Sequence, residues 1–142
     1  MEKVKQSVKK WFSHICIDGL TGMAWGLFAT LIIGTIIEQI GKLIGENAIG
    51  NGLVVIGKIC ASLTGAGIGI GVAIKYKASA YVTVSAAIAG MIGGFASKIL
   101  AGNVYENGNI VLIGPGEPMG AFLASFVGIE IGKRITGKTK VD

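Results

Sequence analysis

Four apolar stretches dominate this chain, and the short breaks between and around them hold most of its charge: Leu20 to Ile44, Leu53 to Ile74, Ala78 to Leu100, and Ile110 to Ile131. The hydrocarbon core of a bilayer is ~30 Å thick and takes ~20 helical residues to cross. The pattern therefore predicts an all-α integral membrane protein with about four Gly-rich transmembrane helices. Composition agrees, since 51% of the 142 residues are hydrophobic, only 15% are charged and 24 are glycine. A soluble domain runs near ~25% charged and ~7% glycine. Two prolines and no glycine at every third position exclude collagen, and the apolar content excludes a disordered linker. The first apolar stretch is too long, and lacks the small-residue site after it, to be a cleaved signal peptide.

The basic residues report topology rather than nucleic acid. Lys3, Lys5, Lys9 and Lys10 precede the first stretch, Lys75 and Lys77 lie between the second and third, and Lys133, Arg134, Lys138 and Lys140 follow the last. Only Lys42, Lys58 and Lys98 remain for the other side or the membrane itself, a bias of ten to three. By the positive-inside rule both termini are expected to be cytoplasmic, in a multi-pass protein of the inner (plasma) membrane. Residues 1–19 carry a further pattern: Val4, Val8, Trp11, Phe12 and Ile15 recur at helical spacing among lysines, as in an amphipathic interfacial helix on anionic lipid. The expected division is this helix, a membrane domain over 20–136, and a cytoplasmic tail over 137–142. Cys16, Cys60 and His14 have no partners at metal or redox spacing and read as packing and interfacial residues; no metal or cofactor is expected.

Small residues recur every fourth position along each stretch: Gly22, Gly26, Thr30 and Gly34; then Gly57, Ala61, Gly65, Gly69 and Ala73; then Ala86, Gly90 and Gly94; then Gly120, Ala124, Gly128 and Gly132. Such stripes let helix backbones approach closely, and a stripe left over would meet helices of another copy or another chain. The run Thr64 to Gly71 lacks the Lys-Ser/Thr pair and strand–loop–helix setting of a phosphate loop, and reads as packing rather than as a channel filter.

The break at Gly114-Pro115-Gly116-Glu117-Pro118 is the most informative segment. Proline has no donor for the preceding turn but suits the first helical position, so a new helix is expected at Pro118. Non-helical backbone at membrane depth must be covered by protein or line a wet cavity. Upstream, Asn107-Gly108 favours a tight hairpin. Glu117 at a helix start is either a cap favoured by the macrodipole or a ligand contact, since transporters place substrate sites at broken helices. Glu38, Glu130, Lys58 and Lys98 are further intramembrane polar candidates, each near enough to a span end to snorkel.

These five residues resemble the Gly-x-x-Glu-Pro element of the sugar permeases of the bacterial phosphotransferase system, the enzyme IIC components. The wider chain, including Ile17 to Phe28, Met119 to Phe122, Gly128 to Lys133 and Thr136 to Asp142, is similar to the N-terminal part of an enzyme-IIC-like family of bacterial membrane proteins. The resemblance implies that Glu117, with Gly114, Gly116 and Pro118 around it, contacts the sugar. Such relatives continue with further spans, so a fragment, a split half or an oligomerising small protein is expected, as a homo-oligomer or with the remaining half of a permease. The chain has no identifiable phosphorylatable Cys or His of the partner domains, so phosphoryl transfer would need separate cytoplasmic phosphotransferase proteins.

The leading reading is a transporter component for a small polar solute, with a non-transporting oligomeric scaffold or regulatory subunit as the alternative and a small channel third. A soluble enzyme is excluded because no nucleophile-base pair, metal cluster or cofactor fingerprint occurs.

Overall fold

A computed structural model describes residues 1–136 and 138; the tail expected over 137–142 lies, Lys138 apart, outside them. The described chain is all-α except for one two-residue hairpin. Its first helical run covers Glu2–Ile44, 43 residues, and is the one described helix long and apolar enough by itself to cross a membrane. Within it, α1 (Glu2–Ser13), α2 (Leu20–Leu27) and α3 (Ile33–Ile44) are joined by wider π-helical turns at His14–Gly19 and Phe28–Ile32. The backbone thus passes from the amphipathic segment into the apolar one without leaving the helix.

The return helix is broken. α4 (Ala48–Ser62) and α5 (Thr64–Lys75) meet at a 49° bend. Its cause is local: the Ser62 hydroxyl donates to the Ile59 carbonyl at 2.8 Å and the Thr64 hydroxyl to the Ala61 carbonyl at 2.6 Å. Hydroxyls that bond back onto the preceding turn bend helices. Thr30, in the wide turn of the first run, meets Thr64 at the bend, their hydroxyl oxygens 3.2 Å apart.

α6 (Ala80–Gly94) starts at Ser79, whose hydroxyl accepts from the Val82 amide. It ends at Phe95, and α7 (Ala96–Leu100) follows. β1 (Tyr105–Glu106) and β2 (Asn109–Ile110) then pair antiparallel, Tyr105 opposite Ile110. The hairpin expected at Asn107-Gly108 is present, with φ of 52° and 81° at those residues, the double positive φ of a tight turn. Residues 111–117 are non-helical, with positive φ at Gly114 and Gly116, and α8 (Pro118–Ile135) begins with its proline in the first turn. Helix therefore occupies only the latter part of the fourth apolar stretch.

α5 is the axis of the packing. It lies against α2, α6 and α8, while α3 and α4 pair with each other beyond the bend. The core is Ile68, Val72, Ala73, Tyr76, Val82, Ala86, Ala121, Phe122 and Ile129. α5 approaches its neighbours on two glycine faces. Gly65 and Gly69 lie on the Gly90 and Ala86 carbonyls of α6, whereas Gly67 and Gly71 lie on Gly26 and Gly22 of α2. Gly57 meets Gly34 and Glu38 of α3, and Gly120 meets Gly93 of α6. Gly94 and Gly128 differ: a Cβ at either would make only ordinary contact, 3.6 Å and 3.4 Å from the nearest atom.

Candidate functional site

The non-helical stretch before α8 is docked onto the break that ends α6. The Glu117 amide donates to the Gly94 carbonyl at 2.7 Å. Gly116, at φ +71°, passes so close that a Cβ would lie 2.5 Å from that same oxygen. Only a residue without a side chain takes both that φ and that approach. Pro118 then sets the first turn of α8, and the Ala121 amide donates to the Glu117 carbonyl at 3.1 Å.

The Glu117 side chain does not cap this helix. Its Oε1 accepts instead from the Ser97 hydroxyl of α7 at 2.6 Å, and the residue is exposed. A carboxylate has room for more than one donor, so the second oxygen remains available beside irregular backbone. Next to it, Lys98 donates to the Ile113 carbonyl at 2.8 Å with its Nζ 5.4 Å from the Phe95 ring centroid. Lys98 thus ties the non-helical stretch to α7 a second time.

The same stretch walls a cavity of about 640 Å³ whose opposite side is the α3–α4 pair, with Thr35, Glu38, Lys58 and Ser62 among its polar lining and Gly114 and Pro115 on the near wall. That volume lies within the ~300–1,000 Å³ usual for small-molecule sites. Glu38 also forms an ion pair with Lys42 at 2.8 Å. The structure therefore brings Glu38, Lys58, Gly114 and Pro115 to one cavity, with Gly116 and Glu117 just beyond its edge along the chain. Glu130 stands apart, thirteen positions along α8 from Glu117, about 20 Å at the helical rise.

Ser97, Thr35 and Ser62 carried no signal in the sequence. Ser97 reaches Glu117 because residues 116 and 117 dock on Gly94, at the break from which α7 starts. At the opposite end of the bundle a second polar cluster joins the first helix to the core. Tyr76 donates to the His14 carbonyl at 3.0 Å and stacks on its ring, with centroids 4.1 Å apart. Burial first, and then the negative charge of Asp18, push the Tyr76 hydroxyl up to about 12, so at physiological pH it stays a donor. Lys133 donates to the Tyr76 carbonyl at 3.2 Å.

A carboxylate held at the junction of a broken helix, beside a cavity with charged groups in its walls, is the kind of site that helical membrane transporters build. The family is specific: the model described as "Phosphotransferase system, EIIC" matches residues 17–142, and the chain belongs to that family. It is accordingly a transporter component of the bacterial phosphotransferase system, membrane-embedded and working with other components of that system. No curated protein and no solved structure matches the chain.

Proposed function

We propose that this chain supplies part of the solute site of a sugar permease, with Glu117 as the sugar-contacting carboxylate. The observation that carries the reading is the exposed Glu117 carboxylate, held by Ser97 on non-helical backbone at the edge of the cavity that Gly114 and Pro115 wall. Carboxylate oxygens accept charge-assisted hydrogen bonds from hydroxyl groups, which suits a polyol better than an apolar or anionic solute. Glu38, Lys58, Thr35 and Ser62 line the far wall and would meet the remaining hydroxyls. In this reading four Gly-rich segments sit in the bilayer, the second bent at Leu63 and the fourth entering as non-helical chain before α8. Both termini face the cytoplasm, where separate phosphotransferase proteins would act, and further helices, from a second copy or the rest of a permease, cover the outer faces.

The test is binding of a panel of sugars and sugar alcohols to the nanodisc-reconstituted protein, with Glu117→Gln alongside. Loss of one charged acceptor costs ~1.5–3 kcal/mol, so affinity should fall about ten- to hundredfold while helix content and unfolding temperature hold. Equal affinity in a folded Glu117→Gln protein would remove Glu117 from the site.

A further inference from the structure

The family match begins at residue 17, yet the helix it enters begins at Glu2. α1 thus lies ahead of the matched residues, and none of its residues lines the cavity beside Gly114 and Pro115. Its attachment is well defined. Tyr76 bonds and stacks on His14, and Gly19 lies so close to Tyr76 and Phe122 that a Cβ there would be 2.6 Å from the Tyr76 hydroxyl. Before His14 the helix leaves the bundle: every residue from 1 to 13 is exposed.

The exposed surface is two-sided. At the ~100° per residue of a helix, Val4, Val8, Trp11 and Phe12 fall on one narrow stripe, with Lys3 and Lys10 flanking it on one side and Lys5 and Lys9 on the other. Trp11 is 60% and Phe12 64% exposed, so the two largest apolar groups of the arm are uncovered. Four lysines against Glu2 leave the segment at +3. That charge repels a second copy of the same arm and attracts a negative surface. Aromatic rings with lysines on both flanks suit the boundary between headgroups and acyl chains.

We infer that α1 docks on anionic phospholipid headgroups at the membrane surface, with Trp11 and Phe12 inserted at the boundary and Lys3, Lys5, Lys9 and Lys10 on lipid phosphates. To lie along the surface the arm would turn away from the span at the wide turns of His14–Gly19, since π-turns are a common site of helix bends. This assignment rests on the membrane location of the family and not on the identity of the solute.

The experiment uses the full chain with Trp25→Phe, which leaves Trp11 as the only tryptophan. It is reconstituted at one chain per nanodisc in phosphatidylcholine, or in phosphatidylcholine mixed with phosphatidylglycerol. The expected result is a blue-shifted Trp11 emission, quenched by lipids brominated near the headgroup, in the mixed discs only. Both effects should be lost on changing the four lysines to Gln, and separately in Val8→Glu, which keeps the lysines. Emission typical of water in both lipids would overturn the assignment, as would quenching that ignores lipid charge and survives the Gln changes. Shielding of Trp11 that appears only with two chains per disc would also overturn it, and would give the stripe to a second copy.

Discussion

The bundle around α5 and the α3–α4 pair use the same device to opposite ends. In both, glycine lets one helix lie on the backbone of the next: Gly69 on Ala86 in the bundle, Gly57 on Gly34 in the pair. Yet α5 buries Thr64, Gly65, Ile68, Gly69, Gly71, Val72 and Ala73, whereas α4 buries only Gly50 and Gly57 and α3 only Gly34 and Gly41. The pair touches along its glycine seams and leaves Ile33, Ile36, Ile40, Ile49, Ile56 and Ile59 exposed. Glycine sets how near two helices come, and the number of neighbours decides whether the isoleucines between the seams are enclosed. In a membrane protein an apolar outer face is compatible with lipid or with further helices, and the α3–α4 pair is the part of this chain most open to such partners.

The sharpest way to test the contrast is a matched pair of truncations. Ile68→Ala, at a fully buried position, should destabilise the protein by ~2–5 kcal/mol. Ile56→Ala, at a half-exposed one on α4, should change stability by less than ~1 kcal/mol. Unfolding in detergent followed by circular dichroism reads both, and similar losses would mean that the pair is packed in the isolated chain as the bundle is. Matched glycine substitutions come next. Gly69→Ala drives a methyl into the Ala86 carbonyl and should cost ~1–3 kcal/mol. Gly52→Ala, where a Cβ meets nothing within 4 Å, should instead stabilise α4 by up to ~1 kcal/mol. The smallest effect belongs beside the cavity that the α3–α4 pair shares with Gly114 and Pro115. If Ser97 orients the carboxylate, Ser97→Ala should weaken solute binding by ~1 kcal/mol, about fivefold, with the unfolding temperature unchanged. No change in affinity would make the Ser97–Glu117 bond incidental to binding.

Much of the local structure was legible in the residues because it depends on covalent chemistry. Pro118 opens α8 since its missing donor and fixed φ suit a first turn, and Asn107-Gly108 makes the hairpin because both positions need positive φ. The alternating face of Thr64 to Gly71 was only half legible. The four-residue spacing of Gly65 and Gly69 stands out, but Gly67 and Gly71 serve a second neighbour, and one helix sequence does not say how many helices surround it. Nor was the bend at Leu63 visible in the hydropathy of the run, because it arises where the Ser62 and Thr64 hydroxyls turn back onto carbonyls of the preceding turn.

Taken alone, the sequence determined an apolar helical chain, the places where its backbone must leave the helix, and Glu117 as the carboxylate at one of them. Those are properties of single residues and their immediate neighbours. Tertiary structure decided what Glu117 is bonded to and what surrounds it. Ser97 and Glu117 meet although they stand 20 positions apart, and Glu38 and Lys58 reach the cavity of Gly114 and Pro115 from helices that precede it. Such meetings follow from the angles at which breaks redirect whole helices, and no spacing along the chain encodes them.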